Sequence, residues 1–113
     1  MNLRCFAFGV ASFLFLQATS VAQQEMFFDS GGVRIRYLEA GKGLPVVLVH
    51  GQGSSADGNE WGKSGVFSAL AKEYRVIAFD MRGHRKSAKP RDPKLYGPEM
   101  GMDIVRLLDH LRI

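Results

Sequence analysis

The sequence predicts an α/β fold in which a β-hairpin leads into parallel strands joined by crossover helices. Three observations carry that expectation. Residues 46–49 (VVLV) form an unbroken apolar run without polar alternation, the pattern of a strand inside a parallel sheet. A second such run, residues 75–80 (RVIAFD), follows a stretch whose apolar residues recur at helical spacing. Ahead of both, residues 33–38 alternate around a glycine turn, as a hairpin strand does.

Taken in order, the first 22 residues read as a leader. Arg4 supplies a positive start, CFAFGVASFLFL an apolar stretch, and Ser20 and Ala22 the small residues of a cleavage site. The apolar run is short for a membrane span and QATS interrupts it, so export to the periplasm or beyond is expected, with an uncleaved N-terminal anchor as the alternative. After cleavage no stable span remains. Cys5, the single cysteine, leaves with the leader, so no disulfide can staple residues 23–113, a small partial domain.

Residues 26–41 then read as two strands around Ser30-Gly31-Gly32. Val33, Ile35 and Tyr37 alternate with Arg34, Arg36 and Leu38, the period of a half-buried strand. Residues 40–45 form a turn, whose Gly41-x-Gly43 precedes the next strand and so lies on the wrong side of it for a dinucleotide fingerprint. Residues 46–49 are expected to be buried on both faces. Val66, Phe67, Leu70, Ala71 and Tyr74 predict a helix, and with residues 75–80 they complete a right-handed crossover. A basic loop follows (Arg82, Arg85, Lys86, Lys89, Arg91, Lys94) in a chain of formal charge +4. No aromatic side chains interleave for base stacking, so it reads as a solvated loop and no nucleic-acid partner is expected. Gly97-Pro98 opens a last helix, with Ile104, Leu107, Leu108 and Leu111 on one face and Asp103, Arg106 and Asp109 on the other.

The chemistry centres on PVVLVHGQGSSADGNEWGKS, residues 45–64. Its Gly62-Lys63-Ser64 ending invites a phosphate loop, but the glycine that loop needs at position 57 is Asp57, and the triplet lies well past the strand end. His50-Gly51, by contrast, sits at the carboxyl end of the strand, the edge where open α/β sheets bind ligands. There the backbone N–H of Gln52 is the candidate oxyanion donor, with His50, Gly51 and Gly53 lining the substrate. His50 is expected to satisfy loop backbone rather than move protons, because no acid lies near it in sequence. His50, His84 and His110 are too widely spaced for a ligand set, so neither metal nor cofactor is expected.

With these residues in view, the chain from about 27 to 113 resembles the N-terminal part of the α/β-hydrolase fold superfamily. RIRYLEAGKGLPVVLVHG, Trp61, YRVIAFDMRGH and DIVRLLDHLRI carry the likeness. It implies that Asp80, Arg82, Gly83 and His84 organise the floor of the active site in the loop after the fourth strand, and that Ser87 is that loop's matching serine. Where the family motif has a glycine, this chain has Arg85; at positive φ an arginine would strain the turn by roughly 1–2 kcal/mol.

The resemblance also implies a nucleophile elbow, Gly-x-Ser/Asp/Cys-x-Gly, after a fifth strand, followed by an acid and a histidine. The sequence contains no Gly-x-Ser-x-Gly, His110 precedes any nucleophile, and a Ser54–His84 or Ser55–His50 dyad would lack an elbow to expose it. The chain is therefore expected to carry the oxyanion loop without nucleophile, acid or base, and to be inactive alone. The implied reaction is attack on an ester, lactone, amide or similar electrophilic carbon of a small molecule, epoxide opening and halide displacement included. In the implied strand order residues 46–49 face an absent neighbour, leaving an apolar edge open to self-association or aggregation. The alternative function is that of a non-catalytic truncated or split chain that acts by associating with a partner.

Overall fold

A computed structural model describes residues 21–113. The leader expected over residues 1–22 thus lies, but for its last two residues, outside the described residues. Strands β1 (Gln24–Ser30) and β2 (Val33–Ala40) form the expected antiparallel hairpin, with Ser30 facing Val33 across the turn. Gly31 and Gly32 both take positive φ, 60° and 86°, which side chains resist, and Gly32 N donates to Asp29 Oδ1 at 2.9 Å. Strands β3 (Pro45–Val49) and β4 (Arg75–Phe79) run parallel, and the sheet order is β1-β2-β4-β3. β4 is therefore interior. Val76 and Ala78 bury on one face, Ile77 and Phe79 on the other, as a parallel strand covered on both sides requires.

Each face has its own core. Leu38, Ala40, Leu48, Val76 and Ala78 pack beneath Ala56, Phe67 and Ala71. Phe28, Val33, Ile35, Tyr37, Ile77 and Phe79 pack beneath Leu107 of α2 (Pro98–His110). Leu107 is wholly buried, so truncating it to alanine costs about 2–5 kcal/mol.

The structure corrects several expectations. β3 is not buried on both faces: Val46 and Val47 are half-buried and Val49 is 40% exposed, because the strand ends the sheet with β4 as its only neighbour among the described residues. In β2 the alternation lapses, since Arg36 and Leu38 are buried with the apolar positions. Leu38 meets the opposite core, and Arg36 is enclosed by ion pairs. The helix before β4 is a single short piece, α1 (Val66–Leu70); Gly65, at φ 82°, sets its start, and Ala71 and Tyr74 lie beyond its end. A π-helical turn, Asn59–Lys63, precedes it. Asp103 does not lie on a polar face of α2 but is completely buried, and Arg82 is not solvated with the rest of the basic loop. The two hold each other: Arg82 Nε and Nη2 donate to the Asp103 carboxylate at 2.8 and 2.6 Å, and Ser30 Oγ donates to the same carboxylate.

Candidate functional site

Val49 and Phe79 are register partners, so β3 and β4 end at one rim and release His50 and Asp80 side by side. His50 is buried and bridges the two loops. Its Nδ1 lies 2.8 Å from the Gly51 carbonyl oxygen, and its Nε2 accepts the Met81 N–H at 3.0 Å. An N–H donor on one side and a carbonyl on the other fix a neutral ring with its proton on Nδ1. The His84 ring meets His50 edge-on at 4.9 Å, with Nδ1 at 3.2 Å from the Arg82 carbonyl oxygen.

These contacts pin the loop on either side of Gln52. Gly51 N donates to Glu60 Oε2 at 2.9 Å, and Gly53 N points at His84 Nε2 from 3.5 Å, a long contact. Gly53 turns at φ 77°, a conformation open to glycine. Between them Gln52 is exposed, and its N–H has no acceptor among the described residues.

Beneath the rim, Asp80 is wholly buried and serves as a bolt. Its Oδ1 accepts Ala56 N at 2.8 Å, and its Oδ2 accepts Arg36 Nη1 at 3.1 Å and Lys86 N at 3.3 Å. The Ser87 hydroxyl donates to the Asp80 carbonyl at 2.6 Å and accepts Arg36 N at 2.9 Å. Gly83 closes the same loop by donating to the Ala88 carbonyl at 2.9 Å. Arg36 also pairs with Glu25 and with both oxygens of Asp57. Burial alone would lower the Arg36 pKa, but the hydrogen bonds it donates to Asp57, Asp80 and Glu25 outweigh it and hold the guanidinium above its ordinary range. In return Arg36 holds the Asp57 carboxyl below its usual range, and Lys86 with Arg36 does the same for Glu25.

The structure thus brings His50, Gly51, Gln52, Gly53 and His84 together at the rim, with Asp80 and Ser87 underneath. Arg82 departs from them: its side chain runs to Asp103 and to the Leu95 carbonyl, and so ties this loop to α2. Neither Ser54 nor Ser55 hydrogen-bonds a histidine among the described residues; Ser55 Oγ donates to Asp57 Oδ1 at 3.2 Å. His110 stacks on Phe28 at 5.3 Å in the α2 face of the sheet. Sequence reasoning missed Arg36, Asp57 and Glu60. An arginine in an alternating strand reads as solvated, and nothing local marks Glu60 as the partner of an amide nine positions back. Arg85 adopts φ 43°, the left-handed conformation in which a side chain is strained.

A profile described as the alpha/beta hydrolase fold matches residues 45–113. The chain belongs to the alpha/beta hydrolase fold family. As a family member it is 54% identical over 69 residues to a 2-hydroxy-6-oxo-6-(2'-aminophenyl)hexa-2,4-dienoic acid hydrolase of Metapseudomonas resinovorans, covering 61% of this chain and 23% of that one. It is 40% identical over 83 residues to a soluble epoxide hydrolase of Corynebacterium sp. (strain C12), covering 71% and 26%. Among solved structures, a serine hydrolase involved in carbazole degradation superposes with TM-score 0.67 at 42% identity, covering 78% of this chain and 33% of that one. The chain spans about a quarter of the length of the curated relatives it matches. It is accordingly a partial alpha/beta hydrolase fold, a four-stranded mixed sheet with helices.

Proposed function

We propose that this chain provides the oxyanion-binding side of an exported α/β hydrolase that cleaves an ester, lactone or related bond of a small molecule, with the Gln52 backbone N–H as the donor. The observation that carries the reading is the Gln52 amide, unengaged among the described residues and set between Gly51, anchored to Glu60, and the left-handed Gly53 at the carboxyl rim of β3. A donor so fixed needs no reorganisation as negative charge develops on a carbonyl oxygen, and one such N–H is worth about 2.7–4 kcal/mol in an acyl-transfer site. The sequence contains no Gly-x-Ser-x-Gly, and this reading assigns no attacking group to these residues. Export rests on Arg4, the apolar stretch behind it and the Ser20/Ala22 site.

The test is a graft. The 69-residue matched segment replaces its counterpart in the Metapseudomonas resinovorans hydrolase, and turnover of that enzyme's own substrate is measured. Gln52→Ala, which keeps the N–H, should leave kcat near that of the parent graft. Gln52→Pro, which removes it, should lower kcat by about 10²–10³. Equal activity of the two variants would refute the assignment.

A second reading, a non-catalytic chain that acts by pairing with a partner, is favoured by one observation: β3 has no neighbour on its outer side among the described residues.

A further inference from the structure

Beside the rim lies a second feature that the oxyanion reading does not use. A polar cavity of about 210 Å³ opens between the loop after β3 and the loop after β4, with Gly53, Ser54, Asp57, Asn59, Lys63 and Arg85 in its wall. Two cations face it from different segments. Neither the Lys63 ammonium nor the Arg85 guanidinium has an ion pair or hydrogen bond among the described residues. Their neighbours behave otherwise: Arg82 is paired with Asp103, Lys86 with Glu25, and the Lys89 ammonium with the Arg85 and Ser87 carbonyls.

From this arrangement we infer that the cavity is a binding site for the carboxylate of a small organic acid. The one acid in the wall, Asp57, has both oxygens engaged by Arg36 and so is not available to neutralise Lys63 or Arg85. The Arg85 fork matches a carboxylate in two-point geometry, and Lys63 adds a point charge to the same wall. The Ser54 hydroxyl, without a partner among the described residues, and the Asn59 amide can donate as well. With Asp57 engaged by Arg36, Lys63 and Arg85 leave the wall net positive, which suits an anion. The volume suits a small molecule. Arg85 stands at φ 43°, where glycine would be relaxed, and strain of this kind gathers at ligand sites.

The site does not depend on the proposed reaction, since binding is read without turnover. If that reaction also holds, an acid bound here lies against Gly53, one residue from the oxyanion donor, and the substrate carries a carboxylate away from its scissile bond.

The experiment is an amide-resolved NMR titration of the chain with sodium acetate, against sodium chloride at equal ionic strength, acetamide and inorganic phosphate. Saturable shifts at Gly53, Ser54, Lys63 and Arg85 are expected with acetate alone, with Kd on the order of millimolar. Lys63→Gln and Arg85→Gly should each weaken acetate binding tenfold or more. Arg85→Gly relieves the backbone while removing the charge, so a melt no lower than that of the parent separates lost binding from lost folding. The inference is overturned by acetate shifts that do not saturate, by equal shifts with chloride or acetamide, by binding of phosphate without acetate, or by unchanged acetate affinity in Arg85→Gly.

Discussion

Arg82 and Asp103 form a two-pronged ion pair whose side chains are 1% and 0% exposed, so the loop after β4 and the middle of α2 are fastened through a charge pair sealed from water. The Asp103 carboxylate and the Leu95 carbonyl together occupy three nitrogens of the guanidinium, and Asp103 holds Arg82 above its ordinary pKa.

Removing one member strands the other. Asp103→Asn leaves a buried guanidinium without a counter-charge and should cost about 3–5 kcal/mol in urea unfolding. The paired replacement Arg82→Met with Asp103→Leu should recover much of that loss, as a double-mutant cycle would report. A single-mutant loss below about 1 kcal/mol would show that the pair is not what fastens α2.

Arg85 gives the opposite sign. Its left-handed backbone is strained with a side chain and relaxed without one, so Arg85→Gly should raise stability by up to about 1 kcal/mol. Thermal melts at matched concentration measure it; a fall in Tm would mean that the side chain contributes more than the backbone strain costs.

Acid should weaken the fold through Glu25 and Asp57. Lys86 and Arg36 hold the Glu25 carboxyl below its ordinary value of 4.5, and Arg36 holds Asp57 below 3.8. Between folded and unfolded pKa values the unfolded chain binds more protons, so their stabilisation is complete above about pH 5 and is lost as pH falls through the folded values. Denaturation midpoints from pH 7 to 2.5 should show this fall, and Glu25→Gln with Asp57→Asn should flatten it.

The outer side of β3 should govern association. It is short, uncharged and half-exposed, with no charged residue to deter another strand. Val49→Lys places a charge at the exposed position and should lower the self-association seen by sedimentation velocity as concentration rises. Identical concentration dependence in parent and variant would exclude this edge as the contact.

Local pattern made the hairpin, both parallel strands and the Gly97-Pro98 helix start legible, because glycine turns, β-branched runs and a proline at the first helical turn act within a few residues. The His50–Gly53 turn was legible for the same reason, as it lies directly at a strand end. Burial of charge was not. Asp103 sits on α2 among residues that read as solvated, and only tertiary contact with Arg82, 21 positions earlier, makes it core. Arg36 likewise looks like the wet side of a strand until Glu25, Asp57 and Asp80 enclose it. The exposure of β3 depended on its place in the sheet, which a run of valines does not encode.

Arg36 draws its acid partners from the first strand, the rim loop and the end of β4 at once, which gives the extreme amino end of the sheet a say in the crevice at its crest. A polypeptide trimmed to begin at Met26 would forfeit the Glu25 carboxylate that both Arg36 and Lys86 grip. Ragged processing by a few residues would then slacken the Asp57 loop without touching a single group at the rim.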